Sequence, residues 1–343
     1  MTSNISENQA LSSQFILRFK KNRCGYYSLI IFLTMLIITL FSELIANDKP
    51  LIVKFDNKFY FPIFENISEK FFGGEFETEA DYLDPTVTNL INKKGWLIYP
   101  PIKFSFNTIN LSLSNPAPSK PTAENILGTD DQGRDVLARI LYGTRISLLF
   151  GILLSFFSII IGIIIGAIQG YFGGMVDLFL QRFTEIWSSM PTLFLLIILS
   201  SIVDPSFLIL LLLMMLFSWI SVSSYVRAEF LRLRNFEFVK ASKALGASNL
   251  RIIFLHILPN ASSIIIANLP FLIAGSITTL TALDFLGLGL PVGYPSIGEL
   301  LAQGKNNISS YWLGISGFFI ITIILTLLVF IGESLRDGFD SRK

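Results

Sequence analysis

Long apolar runs, separated by short polar segments and one long mixed segment, dominate the pattern of this chain. A bilayer core about 30 Å thick takes roughly 20 apolar residues as a helix, and six runs come close to that length. They are Tyr26–Ile45, Ile146–Ile168, Phe183–Val203, Phe207–Val226, Ser263–Leu288 and Trp312–Ile331. Pro191 interrupts the third run, which is tolerated where a helix faces other helices rather than lipid. The pattern predicts an all-α polytopic membrane protein with six transmembrane helices.

The first run has two interpretations, because basic residues followed by an apolar core also form a signal peptide. Arg18, Lys20, Lys21 and Arg23 precede the run. However, the run is longer than the roughly 7–15 apolar residues of a signal-peptide core, and no clear small-x-small cleavage site follows it. We therefore expect an uncleaved first transmembrane helix over residues 26–46.

Basic residues predict the orientation, since short flanking loops rich in Lys and Arg stay in the cytoplasm. Three regions are basic: residues 1–25, the loop 228–262 between the fourth and fifth runs, and residues 336–343. With six spans, all three fall on one side, which we expect to be cytoplasmic. The expected organisation then has an extracytoplasmic insert of irregular and β character at 47–142 and a five-helix core at 143–335.

Composition agrees with a membrane protein and excludes several kinds of enzyme site. Of the 343 residues, 52% are hydrophobic and 15% charged, whereas soluble domains carry about 25% charged residues. The 26 Lys and Arg nearly balance the 25 Asp and Glu, which excludes a global basic field for nucleic acid. A single cysteine, Cys24, and a single histidine, His256, exclude a disulfide framework, a cysteine-rich zinc site, an iron–sulfur cluster and a paired-histidine metal site. We expect no catalytic residue, metal or cofactor on this chain.

The strongest local signal lies in the loop before the fifth run, where Phe236–Leu245 is rich in helix formers. Small and mostly apolar groups recur at helical spacing on one narrow face: Phe238, Ala241, Ser242 and Leu245. Gly246 is placed to end the helix in a left-handed conformation, and Ser248 to cap the next turn. The segment is either a surface helix that connects two spans or a docking element that fits a partner's groove.

This loop resembles the EAA loop of ATP-binding-cassette (ABC) importer permeases. The chain carries Lys240-Ala241-Ser242, then Gly246, then Ile257-Leu258-Pro259. Lys240 replaces the family's Glu, and Ser242 replaces its second Ala. The resemblance implies a coupling helix that receives motion from a cytoplasmic ABC ATPase. The residues assigned to it are Glu237, Phe238, Lys240, Ala241, Ser242, Leu245, Gly246, His256, Leu258 and Pro259.

Two further segments are similar to the oligopeptide/dipeptide branch of this family. Leu127–Leu148 keeps Gly128-Thr129-Asp130 and Gly133-Arg134-Asp135, and its part Arg134–Leu141 is expected to form a helix lying on the membrane surface. Leu283–Asn307 looks like the outer end of the fifth span and a re-entrant stretch after it. Nearly the whole chain resembles the Yej-type subgroup, known for import of peptides and microcin C.

The resemblance implies a type I importer permease fold in the bacterial inner membrane. It also implies a second homologous permease subunit, a cytoplasmic ABC ATPase, a periplasmic peptide-binding protein and a peptide substrate. The sequence has no GxxxxGK[ST] phosphate-binding loop, so ATP and Mg²⁺ are expected on the ATPase. The alternative is a secondary transporter driven by an ion gradient. It would need ionisable groups deep in the spans, and here they cluster at span ends.

Polar residues near the outer end of the fifth run are candidates for the translocation path. Asp284 follows Thr281 by one helical turn, with Thr278 a further turn inward. A carboxylate there would attract the amino group of a peptide. Alternatively, Asp284 caps or pairs structurally at the membrane interface, and the threonines form hydrogen bonds between helices.

Overall fold

The computed structural model describes residues 17–113, 115–200, 202–203 and 206–339. The helices are α1 (Arg23–Leu40), α2 (Pro85–Lys94), α3 (Val136–Phe172), α4 (Gly174–Ser188), α5 (Thr192–Ser200), α6 (Phe207–Leu233), α7 (Glu237–Ala244), α8 (Asn249–Arg251), α9 (Leu258–Phe285), α10 (Ile297–Asn306) and α11 (Tyr311–Phe339). The strands are β1 (Ile52–Phe55), β2 (Lys58–Tyr60) and β3 (Gly95–Ile98). Short 3₁₀ helices cover Ser42–Leu44 and Glu69–Phe72, and a π-helical stretch, Ile252–Ile257, joins α8 to α9.

Five helical segments of the described chain are long and apolar enough to cross a membrane, namely α1, α3, α6, the unit from α8 to α9, and α11. The remaining predicted span, Phe183–Val203, is wrong as a single helix, because α4 and α5 meet at a bend of 61°. Pro191 lies between them, has no N–H to continue the ladder of α4, and disfavours a helical conformation in the residue before it. The two helices together form a sixth, broken span or a re-entrant loop.

The expected surface helix over Arg134–Leu141 is also wrong, because residues 136–141 form the first turns of the long helix α3 instead, with Asp135 as its N-cap. Val136 and Ile140 are buried against Trp312 and Leu313 of α11, so the apolar face of this turn covers protein and not lipid. Gly143 does not break the helix; it lets α3 approach the backbone at the start of α10. The first span after the insert therefore begins at Val136, inside the range predicted for the insert.

Helix α3 occupies the centre of the bundle and packs against α6, α9 and α1. Its tightest interface is with α6, where Gly162, Gly166 and Gly170 follow one another every four residues. A Cβ atom added at Gly162 would lie 2.5 Å from Val222, and one at Gly166 would lie 2.6 Å from the carbonyl oxygen of Ser223. Glycine is required here because the two backbones are closer than any side chain allows.

The insert between α1 and α3 contains a small folded unit. Its antiparallel sheet has the strand order β2-β1-β3, and α2 packs beside it. Val53 and Phe55 of β1 point to one face of the sheet and are buried with Phe72, Tyr82 and Ile91. We call the side of the membrane that carries this unit the insert side, and the opposite side, where α7 lies, the coupling side.

Candidate functional site

Helix α7 on the coupling side is held to the rest of the chain mainly by Val239. This side chain is fully buried and belongs to a cluster that includes Phe230, Leu233, Ile252 and Ile257. Val239 is the buried residue of α7, while both ends of the helix lie at the surface. The sequence pattern did not single out Val239, because it lies outside the face formed by Phe238, Ala241, Ser242 and Leu245.

The face assigned to docking is turned away from this chain. Phe238 is 37% exposed and Leu245 is 87% exposed, and Ala241 between them is also exposed. Ser242 is half-buried and donates its hydroxyl to the Phe238 carbonyl at 2.8 Å. An exposed apolar face on a short helix is suited to fill a groove in another protein, because the apolar side chains are buried only when that protein binds.

Charged side chains flank this face. The Lys240 ammonium donates to the Glu237 carboxylate at 2.9 Å, one helical turn away, and both groups are largely exposed. The Lys243 ammonium lies 5.0 Å from the ring centroid of Tyr171, the second-last residue of α3. Exposed i,i+3 pairs stabilise a helix by only a few tenths of a kcal/mol, about 0.2–0.5 kcal/mol. Glu237 and Lys240 are therefore available to exchange partners.

The turn after α7 follows the expected chemistry. Gly246 has a φ of 81°, in the left-handed region that favours glycine, and the Ala247 N–H donates to the Ser242 carbonyl at 3.1 Å. Ser248 caps α8 by accepting from the Arg251 N–H at 3.4 Å. The predicted left-handed conformation of Gly246 and the predicted cap by Ser248 are confirmed.

The segment after this turn departs from a regular helix. The π-helical stretch Ile252–Ile257 leads into α9, and Pro259 lies in the first turn of α9 with no N–H to donate. The carbonyl of His256 accepts from the Asn260 side chain at 2.6 Å. His256 and Leu258 are half-buried and Pro259 is exposed, so these three predicted residues shape the connection rather than the exposed face of α7.

Two contacts hold the end of α3 to its neighbours, one from α8 and one from Arg234, the residue after α6. The Tyr171 hydroxyl donates to the Asn249 side chain at 2.7 Å. The Arg234 guanidinium donates to the Gly170 carbonyl at 3.3 Å. The π-helical stretch therefore joins the segment after α7 to α9, and Tyr171 joins α8 to the end of α3.

The three candidate path residues do not share one open surface. The buried Asp284 accepts from the Leu290 N–H at 2.7 Å and from the Ser296 hydroxyl, which itself caps α10. Thr281 is buried and donates to the Ile277 carbonyl at 2.9 Å, whereas Thr278 is exposed. This geometry favours the structural alternative for Asp284, which holds the turn between α9 and α10. Thr278 is the one of the three that faces out of the chain.

A buried cluster of charges on the insert side was missed at the sequence level. Arg134 donates through Nε to Asp130 at 2.7 Å and lies 3.2 Å from Glu299 of α10. Arg139 of α3 donates to the other oxygen of Glu299 at 2.6 Å. Asp130 and both arginines are almost completely buried. The cluster joins the end of the insert, the start of α3 and α10.

Backbone groups complete this cluster. Arg139 also donates to the carbonyls of Phe106, at 3.1 Å, and Tyr294, at 3.0 Å. Asp135 caps α3 by accepting from the Ala138 N–H at 2.8 Å, and burial raises the pKa of the Asp135 carboxyl. The signal was present in the pattern Gly128-Thr129-Asp130 and in the acidic residue after Gly298, but nothing in the spacing indicates that they meet. Among the described residues, no group of three or more His, Cys, Asp or Glu side chains is arranged to hold a metal ion.

Comparison with known sequences shows the family to which this chain belongs. Residues 146–343 match the family described as "Binding-protein-dependent transport system inner membrane component". The chain is 55% identical over 326 residues to the inner membrane ABC transporter permease protein YejE of Escherichia coli (strain K12), covering 95% of this chain and 96% of the relative. It is 48% identical to the peptidoglycan transport system permease protein YejE of Agrobacterium fabrum, covering 95% and 91%. It is 38% identical to the oligopeptide transport system permease protein OppC of Haemophilus influenzae, covering 65% and 72%.

A solved structure supports the fold. A chain of the methionine ABC transporter MetNI, in an inward-facing conformation, matches with a TM-score of 0.51 at 15% sequence identity, over 60% of this chain and 98% of that chain. The fold is that of a type I importer permease, and the alternative of a secondary transporter finds no support among these relatives. The chain belongs to the family of binding-protein-dependent transport system inner membrane components, the permease subunits of ABC importers.

Proposed function

We propose that this chain is the membrane-spanning subunit of an ATP-driven importer that moves peptides across the inner membrane. The observation that carries the proposal is the exposed face of α7, anchored by Val239 and continuous with the spans through Ile252–Ile257. The names of two relatives, an oligopeptide transport system permease and a peptidoglycan transport system permease, support peptides and peptide-bearing cell-wall fragments as the cargo class. The resemblance to the Yej-type subgroup adds microcin C-like peptides to this class.

The proposed partners follow from the family. A cytoplasmic ABC ATPase holds ATP and Mg²⁺ and fits its groove over Phe238, Ala241 and Leu245. A second, homologous permease completes the path, and a periplasmic peptide-binding protein delivers the peptide on the insert side. The N-terminus is then cytoplasmic, and this chain carries out no covalent chemistry itself.

The mechanism is a transfer of motion. When the ATPase closes on ATP, it displaces α7, and Val239 transmits the displacement to the cluster around Ile252 and Ile257. The tie between Tyr171 and Asn249 moves the end of α3 with it. Rotation of α3 and α9 against the second permease then exchanges access between the two sides of the membrane. Net transport depends on ATP hydrolysis because the docked face of α7 couples closure of the ATPase to the change of access in the membrane.

The test is transport by the full complex in vesicles. We expect uptake of a labelled peptide to require ATP and the binding protein. Ala241→Trp places a bulky group in the middle of the exposed face, so it should abolish uptake and the stimulation of ATPase activity by the loaded binding protein. Ala241→Ser, at the same position, keeps the face small and should retain both activities.

Two outcomes would overturn the proposal. Uptake that persists without ATP and collapses with the ion gradient would contradict an ATP-driven importer. Normal stimulation of the ATPase in the Ala241→Trp complex would contradict docking through α7, provided that the complex assembles as the Ala241→Ser complex does.

A further inference from the structure

An apolar groove runs between α1, α3 and α11 on the side of the bundle away from α6. It encloses about 300 Å³ and is lined by residues that include Ile31, Thr34 and Ile38 of α1, Leu141 and Thr144 of α3, and Ile320 of α11. Most of α1 is not covered by the rest of the chain. The groove is therefore open toward the membrane along part of its length.

The position of the groove matches one leaflet of a bilayer. Its lining on α1 extends from Ile30 to Thr39, next to the end of the helix on the insert side. At 1.5 Å per residue this stretch covers about 14 Å, close to half of a hydrocarbon core of about 30 Å. An acyl chain of the leaflet on the insert side has the direction, length and polarity that the groove accepts.

A polar group that lacks a partner lies inside the groove. Thr144 is 1% exposed, lines the groove, and its hydroxyl has no hydrogen-bond partner among the described residues. A buried hydroxyl without a partner is unfavourable, so a ligand that accepts from it gains binding free energy. The site thus provides one hydrogen-bond donor at a depth where a lipid has its ester carbonyls.

Two opposite charges stand at the end of the groove on the insert side. Glu43 lies one turn beyond Thr39 toward the insert side, and the side chain of Arg145, the residue after Thr144 on α3, reaches it. The Arg145 guanidinium donates to the Glu43 carboxylate at 2.6 Å and lies 4.8 Å from the ring centroid of Tyr142. Their side chains are 23% and 41% exposed, so both reach the membrane interface.

We propose that this groove is a binding site for one zwitterionic phospholipid. An acyl chain fills the space between α1 and α3, and the Thr144 hydroxyl donates to an ester carbonyl. The phosphate lies against Arg145, and the ammonium lies against Glu43. The charges of the headgroup and of the ion pair are complementary, whereas an anionic headgroup offers Glu43 no partner.

Bound lipid would complete the packing of α1. This helix packs along α11 but makes few contacts with α3, because the groove separates them. A phospholipid in the groove buries apolar surface on both helices, which the hydrophobic effect and close packing favour. It therefore fixes α1 against the core without a direct helix–helix contact.

The experiment measures lipid retained by the complex extracted in mild detergent, using native mass spectrometry. The delipidated complex receives equal amounts of phosphatidylethanolamine and phosphatidylglycerol as probes. We expect one phosphatidylethanolamine per copy of this chain. Ile31→Trp fills the groove and should reduce retention at least fivefold. Ile37→Trp is the matched control, since Ile37 is a similarly exposed residue of α1 outside the groove.

Two further variants test the polar contacts to the lipid separately from the packing of its acyl chain. Thr144→Val keeps the shape and removes the donor, so affinity should fall roughly three- to tenfold. Arg145→Gln should remove the preference for the zwitterionic lipid. Equal retention by Ile31→Trp and Ile37→Trp, or no preference in the unmodified complex, overturns the proposal. A cross-link from Ile31→Cys to the second permease in native membranes, in a Cys24→Ser background, also overturns it, because a helix then covers the groove.

Discussion

Arg139 shows how a single side chain joins separate parts of this protein. It is 1% exposed, yet its guanidinium is always charged and has five N–H donors. These donors bond to Glu299 of α10, to the carbonyl of Phe106 in the insert, and to the carbonyl of Tyr294 in the turn before α10. A buried ion pair contributes little net stability over apolar packing, but the loss of one member leaves an uncompensated charge.

We therefore expect Arg139→Met to destabilise the protein by about 3–5 kcal/mol, because Glu299 keeps its charge and loses its shortest contact. The measurement is thermal unfolding of the purified protein in detergent, followed by tryptophan fluorescence. Arg182→Met is the control, since Arg182 pairs with Glu185 at an exposed position, where an ion pair contributes about 0–1 kcal/mol. Equal unfolding midpoints for the two variants would contradict a structural role of the cluster.

The glycines of the spanning helices differ in how much space surrounds the position of an added Cβ atom. Gly166 of α3 faces the backbone of α6, whereas Gly275 of α9 has open space around the position of a Cβ atom. The same substitution thus has opposite consequences at the two sites. In a close-packed interface an added methyl group forces the backbones apart, and on an open face it only improves helix propensity.

Gly166→Ala is expected to destabilise the fold by about 1–3 kcal/mol, because its Cβ would overlap the Ser223 carbonyl. Gly275→Ala is expected to be neutral or to stabilise by up to about 1 kcal/mol. Both values come from unfolding of the purified variants in sodium dodecyl sulfate, monitored by loss of helical circular dichroism. A Gly275→Ala variant less stable than Gly166→Ala would show that α3 and α6 do not pack as described.

For the whole molecule, the sequence predicted what depends on local composition. The spans follow from apolar length, and the end of α7 follows from Gly246, since both signals are contained in consecutive residues. The break at Pro191 was visible as a residue but not as a bend, because its angle depends on what α4 and α5 pack against. The meeting of Arg139 with Glu299, 160 positions apart, could not be predicted, since it depends on tertiary contacts. Val239 was missed because its neighbours on the exposed face carried the family pattern.

The orientation of the whole chain can be tested with its single cysteine, since Cys24 is exposed at the start of α1. We expect a membrane-impermeant maleimide to leave Cys24 unlabelled in spheroplasts and to label it in inside-out vesicles. Lys93→Cys in a Cys24→Ser background, placed on α2 of the insert, should give the reverse pattern. Labelling of Cys24 in intact spheroplasts would place the N-terminus and α7 outside the cytoplasm.

The length of α3 has a mechanical consequence. Its 37 residues form one helix of about 55 Å, longer than the hydrocarbon core of about 30 Å. One end is fastened to the charge cluster through Arg139 and the other to α8 through Tyr171. If a helix of this length rotates by roughly 10° about its middle, its two ends move by about 5 Å in opposite directions. Displacement of the end of α3 on the coupling side is therefore accompanied by an opposite displacement of similar size at its end on the insert side.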